Sequence, residues 1–111
     1  MSEPTIDAGV LADRIAAGTA PVILDVRSTW EFARDHVPGA IHVPFWRLRA
    51  HLHRVPARPD DEIVVYCGHG PRAAWAGAVL RRRGFRRVRY LAGHWAAWAK
   101  TGLPYTKRGG P

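Results

Sequence analysis

The sequence contains a single cysteine, Cys67, placed where the apolar run of residues 63–66 gives way to Gly68-His69-Gly70-Pro71-Arg72. Both glycines can adopt positive φ, so the backbone here can curl until several N–H groups point at one place. A helix starting at the same spot adds its own first-turn donors. Together they would form an anion cradle. A thiol at its centre is drawn toward the thiolate by those donors and by Arg72, and the thiolate is the nucleophilic form of cysteine. A nucleophile under an anion-binding ring suits attack on an anion that carries an electrophilic atom. Without such a loop, a lone cysteine after a buried strand reads as an inert core thiol.

Asp25 and Arg27, in "LDVR", end another apolar run on the presumed active edge. They can steer anions, but an ion pair bracing the loop is the reading preferred. Glu31 reads as a helix cap, His36 and His42 as packing or hydrogen-bonding residues beside a Pro-Gly turn, and His69 as solvent-facing. No pair of histidines with a third ligand suggests a metal site, and no cofactor is implied.

The elements that must position these residues alternate. "VILDV" (22–26) and "EIVVY" (62–66) are short apolar runs that fit strands buried on both faces, and "RVRYL" (87–91) reads as another strand. A brief extended segment is expected around residues 40–42. Helices are predicted over "DAGVLADRIAAG", stopped by Gly18, and from the capping box at Ser28-Thr29-Trp30-Glu31 to about Arg34. Others are expected over "FWRLRAHLHR", over "AAWAGAVLRRR" closed by Gly84, and over "WAAWAKTG" ending at Gly102. Strands alternating with helices imply an α/β domain with a parallel sheet covered on both faces, and ligands in such sheets bind beyond the carboxyl ends of the strands. Cys67 stands at such an end. A single domain over residues 1–106 is expected, with 107–111 as a flexible tail and "TKRGGP" left without structure.

The 47% apolar and 23% charged composition over 111 residues suits one soluble globular domain. The formal charge of +8 comes from seventeen basic residues, all arginine except Lys100 and Lys107, and favours anionic partners. The run "RRRGFRRVR" spans a helix end, a glycine and a strand, without a recognition helix or an aromatic platform, and does not point to nucleic acid. Five tryptophans are too many to bury fully in so small a core, so one or two are expected at the pocket mouth, facing a protein partner. One cysteine cannot form an internal disulfide; the opening residues lack a basic region followed by an apolar core; no apolar run approaches the ~18 residues of a membrane span. A cytoplasmic protein without membrane contact is expected.

The chain resembles the single-domain rhodaneses, the thiosulfate sulfurtransferases, in three separated motifs: "VILDVRSTWEFARDHVPGAIHVP", the loop "YCGHGPRA", and "GFRRVRYLAGHWAAWAKTGLP". The resemblance implies a rhodanese-like three-layer fold, with a mostly parallel sheet of about five strands between helices. It also implies a double displacement. Cys67 would attack the sulfane sulfur of thiosulfate, release sulfite and hold a persulfide, then pass its outer sulfur to cyanide or a thiol. By the same resemblance, Gly68, His69, Gly70, Arg72 and Ala73 are the loop positions around the bound sulfur; Pro71 has no N–H to give and would stiffen the loop. The chain departs from many members at Gly93-His94, where they have Gly-Gly, so that the turn differs or His94 faces the pocket. It departs again at Ala73, where many have serine.

Two other readings belong beside this one. A phosphatase or arsenate reductase on the same fold is disfavoured because four residues, not five, separate Cys67 from Arg72, and the tighter ring suits a single sulfur atom. A non-catalytic sulfur-relay or interaction module, whose cysteine receives persulfide from a partner protein, needs the same cradle.

Overall fold

In the computed structural model, which describes residues 4–108, the two strongest apolar runs pair at the centre of one sheet. The elements in chain order are β1 (Thr5–Ile6), α1 (Ala8–Ala16), β2 (Val22–Asp25), α2 (Thr29–Arg34), β3 (Asp35–His36), β4 (Ile41–His42), β5 (Glu62–Tyr66), α3 (Pro71–Arg82), β6 (Arg87–Leu91), α4 (His94–Lys100) and β7 (Thr106–Lys107), with 3₁₀ turns at Phe45–Arg47 and Leu52–Arg54. The main sheet has the order β1-β6-β5-β2-β4, and every pairing in it is parallel. Asp25 is in register with Tyr66, so the carboxyl ends of β2 and β5 lie side by side.

Side chains alternate along β5 as a two-sided strand requires. Ile63, Val65 and Cys67 pack toward Ala73, Ala76, Val79 and Leu80 of α3. Val64 and Tyr66 pack toward Leu11 of α1 and Trp95 and Trp98 of α4. Three layers result, as expected. Helix α3 lies low on the sheet because Gly77 has no side chain there: a Cβ at that position would overlap the Tyr90 hydroxyl. Gly84, at φ 97°, stops α3, and Ser28 with Glu31 forms the reciprocal capping box that starts α2.

Two expectations need correction. "FWRLRAHLHR" is not one α-helix but two 3₁₀ turns, divided at His51 with φ −123°. Leu48 within it and Val55 just after it are both buried in the core under α3, and the break lets the segment lie flat against that core. Thr106 and Lys107, assigned to an unstructured tail, form β7, which pairs antiparallel with β3; residues 109–111 lie outside the described residues. Strands β1 and β3, two residues each, carry too little pattern to be read from sequence.

Candidate active site

Cys67 follows the last residue of β5, and its side chain has no exposed surface. On the protein side it joins the apolar cluster of Leu24, Val26 and Val65. On the loop side its Sγ accepts a hydrogen bond from the Gly70 N–H at 3.0 Å. Gly70 reaches that position at φ 133°, a conformation open to glycine and closed to other residues. It also caps α3, with Pro71 as the first helical residue; the first intrahelical bond runs from Ala74 N–H to the Gly70 carbonyl. The amides of Arg72 and Ala73, in the first turn, have no intrahelical partner by position. The sulfur therefore sits below the start of α3, lined by hydrocarbon on one side and touched by a peptide donor on the other. A reactant reaches it only by displacing covering atoms.

The start of α4 holds the loop from its other side. Trp95 N–H donates to the Cys67 carbonyl at 2.9 Å and Ala96 N–H to the Gly68 carbonyl at 3.1 Å, while Cys67 N–H donates to His94 Nδ1 at 3.3 Å. His94 takes φ 56°, the described non-glycine residue with positive φ, directly after Gly93 at 70°. His94 thus faces the loop. Burial, with the charge of His69 adding, lowers its pKa from the ordinary histidine value. His69 itself is exposed.

Arg72 reaches back over Gly68, whose missing side chain leaves room for the guanidinium, 3.1 Å from where a Cβ would stand. It makes a two-pronged pair with Glu31, at 2.7 and 3.2 Å. Glu31 is the cap its spacing from Ser28 predicts: its Oε1 accepts from the Ser28 N–H and hydroxyl. The same carboxylate ties α2 to the active loop across 41 residues of sequence, a link no local pattern announces. The hydrogen bond from Arg72 holds the Glu31 carboxyl at about 2, and the pKa of Arg72 is raised first by Glu31, with the Cys67 sulfur contributing.

A pH prediction follows from the sign of that shift. A carboxyl whose pKa is depressed on folding stabilises fully above its unfolded value of about 4.5, and that contribution is lost as pH falls toward about 2. Glu31→Gln should therefore be less stable than the parent at neutral pH and flatten the loss between pH 4.5 and 2, as read from urea midpoints across that range. An unchanged acid limb would remove Glu31 from the brace.

Asp25 and Arg27 are both fully buried and paired, Arg27 Nη2 lying 2.8 Å from Asp25 Oδ2 and Nε 3.1 and 3.0 Å from the two oxygens. Arg27 also donates to the Asp35 carbonyl and lies 4.9 Å from the Trp95 ring centroid and 5.6 Å from that of Tyr66. Burial opposes its charge, but the hydrogen bond and charge of Asp25 outweigh that and raise its pKa. Sealed in this way, neither group meets solvent anions; the pair joins the end of β2 to β3 and the ring stack beneath the loop. His36 and His42 bond to the carbonyls of Phe32 and Arg27 and stack on Phe32.

The arginines divide among surfaces: Arg86 pairs with Asp60, Arg89 with Glu62, and Arg81 lies over Tyr90. Arg82, Arg83 and Arg49 flank Trp75 in a separate groove. Trp95 and Trp98 are buried, whereas Trp30, Trp46 and Trp75 are exposed.

The rhodanese-like domain family matches residues 7–101. A sulfurtransferase of Allochromatium vinosum is 33% identical over 99 residues, covering 89% of this chain and 91% of that protein. The human thiosulfate:glutathione sulfurtransferase is 31% identical over 107 residues, covering 86% and 92%. The crystal structure of the Alr3790 protein from Anabaena superposes with a TM-score of 0.83 at 30% identity, covering 95% of this chain and 94% of that one.

Proposed function

Because the chain belongs to the rhodanese-like family and is similar over most of its length to sulfurtransferases, we propose that it moves a sulfane sulfur through a persulfide on Cys67. The observation that carries this reading is the Gly70 N–H bonded to Cys67 Sγ at the start of α3, a donor placed to hold a sulfur anion. In the first half-reaction the Cys67 thiolate attacks the outer sulfur of thiosulfate. The Sγ–S bond forms, the bond to the sulfonate breaks, and sulfite leaves with the electron pair. In the second, cyanide or a thiolate attacks the outer sulfur, and the pair returns to Sγ. No redox partner is needed. The amides of the loop and of the first turn of α3 hold the negative charge of the persulfide. Arg72, fixed by Glu31, adds positive charge above it, while Asp25 and Arg27 support the loop from below without touching substrate.

Thiosulfate is the donor we assign; a thiol is an acceptor consistent with the relative named thiosulfate:glutathione sulfurtransferase. Protein donors or acceptors of sulfur fit the same chemistry. A single unpaired cysteine suits a reducing compartment, and we assign the protein to the cytoplasm. The test is intact mass after incubation with thiosulfate, followed by cyanide and assay of thiocyanate. A gain of one sulfur that disappears as thiocyanate forms is the expected result. Turnover of an aryl phosphate without sulfur uptake would establish the phosphatase reading instead, and loading only from a desulfurase would establish the relay.

A further inference from the structure

A cleft of about 150 Å³ opens against the loop, lined by Thr5, Gly70, Ala74, Tyr90 and His94. At ~30 Å³ per water it has room for about five water molecules, the scale of a small organic group. We propose that this cleft seats the sulfur acceptor as a small thiolate, and that His94 positions it through Nε2–H. The assignment rests on Cys67 carrying the sulfur.

The tautomer follows from the backbone. An amide N–H can only donate, so the bond from Cys67 N–H makes His94 Nδ1 the acceptor, and the proton of the neutral ring resides on Nε2. That Nε2 lies 3.4 Å from where a Cβ on Gly70 would stand, beside the residue whose N–H meets Cys67 Sγ. A donor is thus fixed on the cleft wall beside Gly70, the loop residue that covers Cys67 Sγ and would have to move aside for an acceptor to meet the sulfur. Tyr90, 4% exposed, lends its ring to the same cleft, while its hydroxyl is turned under α3 against Gly77. The backbone at His94 stands in the left-handed region, which a side chain other than glycine or asparagine enters at a cost.

The chemistry selects the ligand. The cleft offers one neutral donor, His94 Nε2–H, and an apolar wall from Ala74 and the Tyr90 ring, which suit a soft, singly charged sulfur on a short carbon arm. The doubly charged thiosulfate is better served by the cation of Arg72. The acceptor leaves its thiol proton to solvent and attacks the outer persulfide sulfur; the new S–S bond forms as the bond to Sγ breaks. Protonating His94 would put a second donor on Nδ1, facing the Cys67 N–H, and so dislodge the loop. The titratable groups facing His94 are Cys67 and His69 of the loop and Tyr90 of β6; Thr5 of β1 and Ala74 of α3 carry no charge.

The experiment loads the full chain with thiosulfate, removes excess donor, and follows single-turnover discharge by 2-mercaptoethanol and, separately, by cyanide, from about pH 5 to 8. His94→Gly suits the backbone and loses both hydrogen bonds; His94→Asn suits it and keeps an acceptor for Cys67 N–H without a titrating ring. The ratio of thiol to cyanide discharge should fall about tenfold in the glycine variant, the scale of one hydrogen bond to a charged group. The acceptor's thiolate fraction falls alike for both proteins as pH drops; beyond that shared fall, the asparagine variant should lose the parent's additional decline in thiol discharge, which sets in below the ordinary histidine range because the His94 pKa is lowered. A purely structural role would slow both acceptors alike, and an unchanged ratio with an unchanged pH profile would overturn the assignment. Failure of the parent protein to take up sulfur would overturn the persulfide reading itself and this one with it.

Discussion

Cys67→Ser is expected to fold as the parent does, to gain no sulfur from thiosulfate, and to release thiocyanate no faster than buffer alone. The expectation separates two roles of one buried atom. As a packing element the sulfur fills a small space beside Leu24 and Val65, and a serine oxygen there can still accept from the Gly70 N–H. Burying a hydroxyl with no partner costs about 1–3 kcal/mol in proteins, so with the Gly70 N–H retained the loss stays well within the 5–15 kcal/mol by which such domains are stable. As a nucleophile it has no substitute: a neutral alcohol is a poor attacking group, and no persulfide can be held on oxygen. Urea unfolding with intact mass decides between them. A serine variant that transfers at the parent rate would show that sulfur moves without Cys67. If serine unfolds the chain, Cys67→Ala provides the same reading without a buried hydroxyl.

Much of this site was legible because its chemistry is local. Cys67, the two glycines, Pro71 and Arg72 fall within six consecutive residues, and the alternation of β5 runs directly into them. Helix ends were legible for the same reason, since Gly18, Ser28 and Gly84 act on their own neighbours. What could not be read is what distance in sequence hides. Glu31 uses one carboxylate for two tasks, and only the nearer, the Ser28 cap, leaves a mark in spacing. The grip of α4 on the loop passes mainly through backbone atoms of Trp95 and Ala96, which carry no side-chain signature. His94 did leave a sign, a histidine where glycine is the family habit, but not its direction. The burial of Cys67 follows from the strand before it: a reactive residue at a strand end still carries the burial of its own face. In "FWRLRAHLHR" the apolar spacing suits a helix, yet Pro44 offers no side-chain cap, and the core contacts of Leu48 and Val55 decided the local form.

Arg27→Met is expected to be the most destabilising single change at this end of the sheet, costing about 3–5 kcal/mol, because it strands the Asp25 carboxylate with no solvent to reach. The magnitude depends on burial rather than on the short distance: an exposed pair with the same geometry contributes about 0–1 kcal/mol. Methionine keeps most of the bulk under Trp95 and Tyr66, so the loss is electrostatic more than steric. Adding Asp25→Asn should restore most of the stability, since an amide is neutral and its oxygen can still accept from the Arg27 backbone N–H, as Asp25 Oδ1 does at 2.9 Å. The buried Arg27 Nη1 already lacks a hydrogen-bond partner and lies 3.7 Å from Asp35 Oδ1, so the native pair is not fully satisfied, and its replacement by neutral groups need not cost much. Urea midpoints for the single and double variants give the coupling directly. A loss under about 1 kcal/mol for Arg27→Met would mean that water reaches the pair. Sulfur uptake by the double variant then separates bracing from chemistry: a pair that only supports the loop can be replaced with transfer largely kept, whereas one that tunes the loop's field cannot.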